Sequence, residues 1–172
     1  MGSGRRLLGR WLRRRRGACG RRLRRSRRRH SVLTQGAPPM KASCQCGQLV
    51  AEVPGPTIAV VACHCRGCQK RSGSPFGQAA YWPHEDVAIE GEAIQFDRPT
   101  DSGGTFSQFF CPRCGTTVFM RGTKNPTLTG VPIGLFDDPH MMQPIRSVWE
   151  ESRHPWVEIP TAIQHFPRAR VD

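Results

Sequence analysis

The chain has 172 residues and eight cysteines, about one domain's worth, long enough for a single modest core. Its net charge of +13 is confined to a leader, residues 1–39, which holds fourteen arginines and no acid; from Met40 onward twelve Lys and Arg face thirteen Asp and Glu. A near-neutral body speaks against nucleic-acid binding by the folded part, and no apolar run approaches a membrane span, the longest being Ile58 to Ala62.

The leader is expected to be disordered, because runs such as Arg13-Arg14-Arg15-Arg16 and Arg27-Arg28-Arg29 leave too few apolar residues to bury. It lacks the apolar stretch of a secretory signal, and its arginine density erases the amphipathic face of a transit peptide. Two readings of it stand: a sequence-independent phosphate contact, or an upstream stretch that is not translated, with Met40 as the initiator. Without an export signal the expected compartment is reducing and cytoplasmic. Clustered cysteines then read as metal ligands before disulfides.

From Met40, Cys44-Gln45-Cys46-Gly47 opens the organised part; in an extended segment alternate side chains share a face, so two thiolates can meet one ion. Gln48 to Val53 alternates as a half-buried strand, stopped by Pro54-Gly55-Pro56. Thr57 to Ala62 is a β-branched run that delivers Cys63. The Cys63-His64-Cys65-Arg66-Gly67-Cys68 cluster follows, then Gln69-Lys70-Arg71 and Ser72-Gly73-Ser74-Pro75, a loop composition. Phe76 to Trp82 reads as a strand; Val87 to Ile89 and Ala93 to Phe96 flank Glu90-Gly91-Glu92 as a hairpin candidate. Asp101-Ser102-Gly103-Gly104 turns into the strand Phe106 to Phe110, and Cys111-Pro112-Arg113-Cys114-Gly115 is a knuckle before Thr116 to Met120. Leu128 to Leu135 is expected to be extended and Ile145 to Trp149 to be the last strand, with an irregular stretch from His154 to Phe166 and a tail at 167–172. Many short strands punctuated by Gly and Pro predict an all-β domain, residues 40–166, of small coiled antiparallel sheets.

Seven cysteines fall in three clusters, and a closed zinc site takes four ligands whereas an open one keeps three. Spacing alone does not fix which pair joins which. Cys63, Cys65 and Cys68 can converge from a single turn, however, which leaves Cys44, Cys46, Cys111 and Cys114 as a closed set tying segments about 65 residues apart. The triple set has three readings: a second structural zinc capped by His64, a Cys65-x-x-Cys68 redox pair, or an open catalytic zinc. An extended segment would turn His64 away from its neighbours. Zinc held by three thiolates carries a net negative charge, so its open position suits a substrate thiol better than a hard oxygen. Arg66, Lys70 and Arg71 are solvated surface residues on the plain reading; they can also offset that charge or hold a substrate carboxylate.

Together, C-x-C-G, C-H-C-x-x-C, G-S-P-F-G and F-x-x-F-F-C-P-x-C-G resemble the domain shared by glutathione-dependent formaldehyde-activating enzymes and centromere protein V. Gly134-Leu135-Phe136-Asp137-Asp138-Pro139, Trp149 and Trp156 also fall where that family places its glycine, acidic-proline turn and tryptophans. The resemblance runs from about Met40 to Phe166 and does not cover the leader. It implies an Mss4-like fold, a structural zinc at Cys44, Cys46, Cys111 and Cys114, and an active-site zinc at Cys63, Cys65 and Cys68, two ions per chain. It also implies a carbon–sulfur lyase that joins formaldehyde to the glutathione thiol. The expected partners are therefore a small thiol and an aldehyde, with His64 and His84 as candidate proton carriers, each also readable as structural. The alternative is a non-catalytic zinc module whose basic leader contacts nucleic acid. Cys19 has no ligand-type neighbours and takes no role.

Overall fold

The computed structural model describes residues 38–138 and 142–170, together with the backbone of Arg22–Leu23. The expectations for the remainder of the leader, for Cys19 and for Pro139 lie outside those residues. In chain order the elements are β1 (Arg22–Leu23), β2 (Met40–Ser43), β3 (Val50–Val53), β4 (Ala59–Cys63), helix α1 (Arg66–Ser72), β5 (Gly77–Pro83) and β6 (Ala88–Glu90). There follow β7 (Ala93–Pro99), β8 (Thr105–Phe110), β9 (Thr117–Gly122), β10 (Asn125–Val131), β11 (Arg146–Val148) and β12 (Gln164–His165).

Two sheets share these strands. The small one, β2-β3-β6, is antiparallel, with Met40 opposite Val53 and Val50 opposite Glu90. Its period-2 pattern is plain in β3, where Ala51 and Val53 are buried and Val50 and Glu52 are half-exposed. The long sheet runs β1-β7-β8-β9-β10-β5-β4-β11-β12. It is antiparallel except at one end, where β11 lies parallel to both β4 and β12. The core sits between the sheets: Ala42, Leu49, Ala51 and Val53 from the small side meet Trp82, Phe109, Val118, Phe119 and Val131 from the long one. Cys44 and Cys111 are buried in that same cluster, so the sulfur pairs stand at the seam between the sheets.

Several expectations are corrected. Gln69 to Ser72, expected as the start of a loop, belong to a helix that begins at Arg66. Its N-cap is a cysteine and it carries no apolar stripe, so neither usual helix signal is present. Glu90-Gly91-Glu92 does not close a hairpin: β6 pairs with β3 in the small sheet and β7 with β8 in the long one, so these residues carry the chain between sheets. The extended stretch begins earlier, at Asn125, and ends at Val131, where Pro132 starts a 3-10 turn at Ile133–Leu135. The irregular segment after His154 gains the short strand β12.

The final described residues belong to this packing. The carbonyls of Arg168, Phe166 and Pro167 accept from the backbone N–H groups of Trp149, Glu150 and Glu151, each at 3.2 Å. Trp149 is thereby held at φ 61, left-handed backbone that a bulky side chain rarely adopts.

The crossing at Gly91 admits no side chain, since a Cβ there would stand 2.0 Å from the Gln48 carbonyl oxygen and the backbone has φ +101. Gly91→Ala is therefore expected to lower stability by about 2–4 kcal/mol in urea unfolding. Gly134→Ala, which meets nothing within 4 Å, should stay within about 0.5 kcal/mol of the parent.

Candidate metal centres and the adjoining cavity

The first sulfur group, Cys44, Cys46, Cys111 and Cys114, is assembled by two matching knuckles. In each the chain turns back after the first cysteine: Gly47 N–H donates to Cys44 O and Gly115 N–H to Cys111 O, both at 2.9 Å, with the glycines at φ 72 and 75. The turns point further N–H groups at sulfur, Leu49 at Cys44 Sγ (3.2 Å) and Arg113 at Cys111 Sγ (3.4 Å). All four sulfurs lie within 4.8 Å of one another, and Cys46 Sγ is 3.6 Å from both Cys44 Sγ and Cys111 Sγ. Four sulfurs about 2.3 Å from one tetrahedral ion would stand about 3.8 Å apart, so the donor set fits a metal. Hydrogen bonds from the Thr116 side chain and then its backbone hold the Cys114 thiol down at about 5. Its environment thus already favours the thiolate that ligation requires.

The second group is Cys63, Cys65 and Cys68, their sulfurs again within 4.8 Å of one another. Cys63 ends β4, between Gly77 of β5 and Val148 of β11, so three paired strands fix its position. Cys65 caps α1, its Sγ accepting from the Cys68 N–H at 3.4 Å, and Cys68 lies in the helix's first turn. Hydrogen bonds from Cys63 and then Cys68 hold the Cys65 thiol at about 2 against the opposing effect of burial. The Cys63 thiol is driven far upward by the neighbouring Cys65 and Cys68 sulfurs and then by burial.

Among the described residues no His, Asp or Glu atom joins either group. His64 is wholly buried and turned away, as an extended segment requires; its Nε2 is 3.2 Å from Ser147 Oγ and its ring packs 5.4 Å from that of Phe76. His84 Nδ1 lies 3.1 Å from Thr129 Oγ1, which accepts from Arg121 Nε at 3.3 Å. Gln69, which sequence reasoning passes over, anchors α1: its amide donates to the carbonyls of His64 (2.7 Å) and Ser152 (3.0 Å).

The three sulfurs open into a cavity of about 250 Å³, whose walls include Arg71, Tyr81, Arg98, Arg121 and Trp149. Of the three basic residues that the sequence places near the cluster, Arg71 reaches the cavity, Arg66 turns to Gln69, and Lys70 is exposed. Tyr81, Arg98 and Arg121 come from β5, β7 and β9, and no spacing in the chain marks them as neighbours of the cysteines. Burial pushes the Tyr81 phenol upward, so its hydroxyl keeps its proton at neutral pH.

Metal analysis paired with thermal melts separates the two groups. Cys111→Ser should lose one metal equivalent together with the cooperative transition, because its sulfur joins the seam of the core. Cys65→Ser should lose one equivalent and keep a transition near that of the parent.

A family model for glutathione-dependent formaldehyde-activating enzymes matches residues 39–152. A Penicillium rubens protein, provisionally named as a glutathione-dependent formaldehyde-activating enzyme, is 25% identical over 143 residues, covering 73% of this chain and 74% of that protein. A crystal structure of a Rhodobacter sphaeroides protein superposes with a TM-score of 0.47 at 23% identity, over 58% of this chain and 92% of the other. Among the described residues no helix is long and apolar enough to cross a membrane. With more than half of its length matched by that family model, and with both cysteine groups assembled, the chain belongs to the glutathione-dependent formaldehyde-activating enzyme family.

Proposed function

We propose that residues 40–166 form a zinc-dependent carbon–sulfur lyase that joins a small, glutathione-like thiol to an aldehyde. The observation that carries this reading is the three-sulfur group in the wall of a small-molecule cavity, with no fourth ligand-type side chain beside it among the described residues. Cys63, Cys65 and Cys68 would hold one zinc ion, and Cys44, Cys46, Cys111 and Cys114 a second that staples the fold. When bound at the trio, zinc would lower the pKa of an incoming thiol and so favour its nucleophilic thiolate.

The chain's own residues supply position and charge. Cys68 N–H donates to Cys65 Sγ and sets the trio's geometry. Arg98 and Arg71 add positive charge that favours the Cys65 and Cys68 thiolates. The Tyr81 hydroxyl, kept protonated, is a hydrogen-bond donor in the cavity wall, available to the aldehyde oxygen as negative charge develops on it. In the reaction sulfur bonds to the carbonyl carbon, the carbon–oxygen double bond becomes single, and the thiol proton ends on that oxygen; no oxidant is needed. The seven cysteines among the described residues are unbridged, which suits a reducing compartment such as the cytoplasm.

The test is hemithioacetal formation from glutathione and formaldehyde, followed by exchange NMR above the uncatalysed rate. Cys65→Ser is expected to lose one zinc per chain and to cut the enzyme-dependent rate about 100-fold or more. Full zinc and full rate in that variant would overturn the assignment.

A further inference from the structure

The strand that carries Cys63 has two faces, and the one turned away from the cavity holds a line of polar groups. Val148 of β11, opposite Cys63, lines the cavity. Ser147, its neighbour in the strand, points the other way by alternation and is wholly buried. Four residues that the lyase chemistry does not use meet on that reverse side: His64, Ser147, Glu150 and His165. They form one chain of hydrogen bonds. His64 Nε2 lies 3.2 Å from Ser147 Oγ, Ser147 bonds the Glu150 carboxylate, and Glu150 Oε1 lies 2.8 Å from His165 Nδ1.

The chain has a direction, and the carboxylate sets it. A carboxylate has no hydrogen to give, so Ser147 donates to Glu150 and its oxygen is left to accept from His64 Nε2. Burial alone would raise the Glu150 carboxyl, but the Ser147 and His165 bonds hold it below its ordinary value, so it is charged at neutral pH. A hydrogen bond to an ionised group is roughly twice as strong as a neutral one. Glu150 is itself fixed: its side chain is only 19% exposed, and His165 reaches the Pro160 carbonyl with its other nitrogen at 3.1 Å. The Phe166 backbone brackets the same stretch, donating to Ser147 O at 2.9 Å and accepting from Glu150 N at 3.2 Å.

At the other end of the chain stands His64, between Cys63 and Cys65. Its N–H donates to Val148 O at 3.0 Å and its carbonyl accepts from Gln69 at 2.7 Å. Ser147 adds a hold on the ring, whose Nδ1 is buried without a partner. Successive side chains of an extended segment leave on opposite faces, so fixing the His64 ring on one face directs Cys63 and Cys65 toward the other. We propose that Glu150 is a positioning residue for the three-sulfur centre, acting through Ser147 and His64 to hold Cys63 and Cys65 at the spacing a metal ion needs. The proposal rests on the reading of Cys63, Cys65 and Cys68 as ligands. Loss of an outer partner of a metal site typically weakens binding by about 10- to 100-fold. Here the coupling runs through the backbone, which places the expected effect at the lower end.

The test titrates the full chain with cobalt(II), followed by its thiolate-to-metal absorption, in the parent, Cys65→Ser, Glu150→Gln and Ser147→Ala. The parent is expected to take two equivalents and Cys65→Ser one, which gives the signal of the four-sulfur group alone. Glu150→Gln keeps the size of the side chain and removes the charge that orders the chain. It should weaken the equivalent missing from Cys65→Ser about tenfold and leave the four-sulfur equivalent and the thermal transition unchanged. Combining it with Ser147→Ala should weaken binding no further than the more affected single variant, because both changes break one chain. Parental affinity in Glu150→Gln, equal weakening of the two sulfur groups, or additive losses in the double variant would each sink the proposal. A parent that takes one equivalent would remove the ligand reading and the proposal with it. Should Ser147→Ala fail to fold, the comparison of the two groups in Glu150→Gln still decides.

Discussion

The structure depends on one place where two distant segments bring four sulfurs together. The small sheet has three short strands and contributes chiefly Ala42, Leu49, Ala51 and Val53 to the shared core, too little apolar surface to hold a sheet of that size alone. The Cys44–Cys46 knuckle precedes β3, and the Cys111–Cys114 knuckle joins β8 to β9, so the four sulfurs meet where the small sheet adjoins the middle of the long one, and an ion held there would tie the two. Drawing together segments that far apart in the chain is entropically unfavourable, and that is where a cross-link stabilises most. Cys44 and Cys111 are buried in the core itself, so the sulfur group and the apolar contacts reinforce the same seam.

The other three sulfurs draw their position from this arrangement without belonging to it. β4 lies between β5 and β11, flanked on both sides, and Cys63 is its last residue. Just beyond it, Cys65 begins α1 with its own sulfur as the cap, and Gln69 ties the helix to the His64 and Ser152 carbonyls. One flexible-looking hexapeptide is therefore clamped by a strand on one side and a helix on the other. Three thiolates gathered on one ion would need such restraint, because like charges at that spacing repel and would spread in a mobile loop.

How much of this was legible follows from how local each signal is. Cysteine spacing is local and chemically specific, so the three clusters could be read from the chain, while their partition into four and three rested on the convergence of Cys63, Cys65 and Cys68 from one turn and on the family resemblance. β3, with its clean alternation, and β5, an apolar run stopped by Pro83, were equally open to reading. Helix α1 was not, since a cysteine cap and the short turn Arg66–Ser72 carry none of the apolar periodicity that marks a helix. The Glu90-Gly91-Glu92 link has the composition of a hairpin turn, and only the pairing of β6 with β3 shows that it passes between sheets. Arg98 and Arg121 were invisible as site residues because strand pairing brings them beside the cysteines from β7 and β9, and no pattern in one chain records that. The parallel placement of β11 on β4 was hidden for the same reason.

Trp149 shows how the far end of the chain enters the same logic. Its left-handed backbone is unfavourable by about 1–3 kcal/mol for a non-glycine residue and persists only where surroundings over-determine it. They do so here: three successive N–H groups, from Trp149 to Glu151, are taken by carbonyls of residues 166–168, and Arg168 Nε also donates to Glu151 at 3.0 Å. On the other side, β11 is paired with β4, the strand that delivers Cys63. Trp149 is therefore fixed from two directions at the wall of the cavity that the sulfurs share. The stretch after His154, irregular in composition and rich in proline, acts as a brace that holds this strained residue against the site. Releasing those carbonyls would let Trp149 relax toward ordinary backbone angles and change the shape of the cavity without touching a single cysteine.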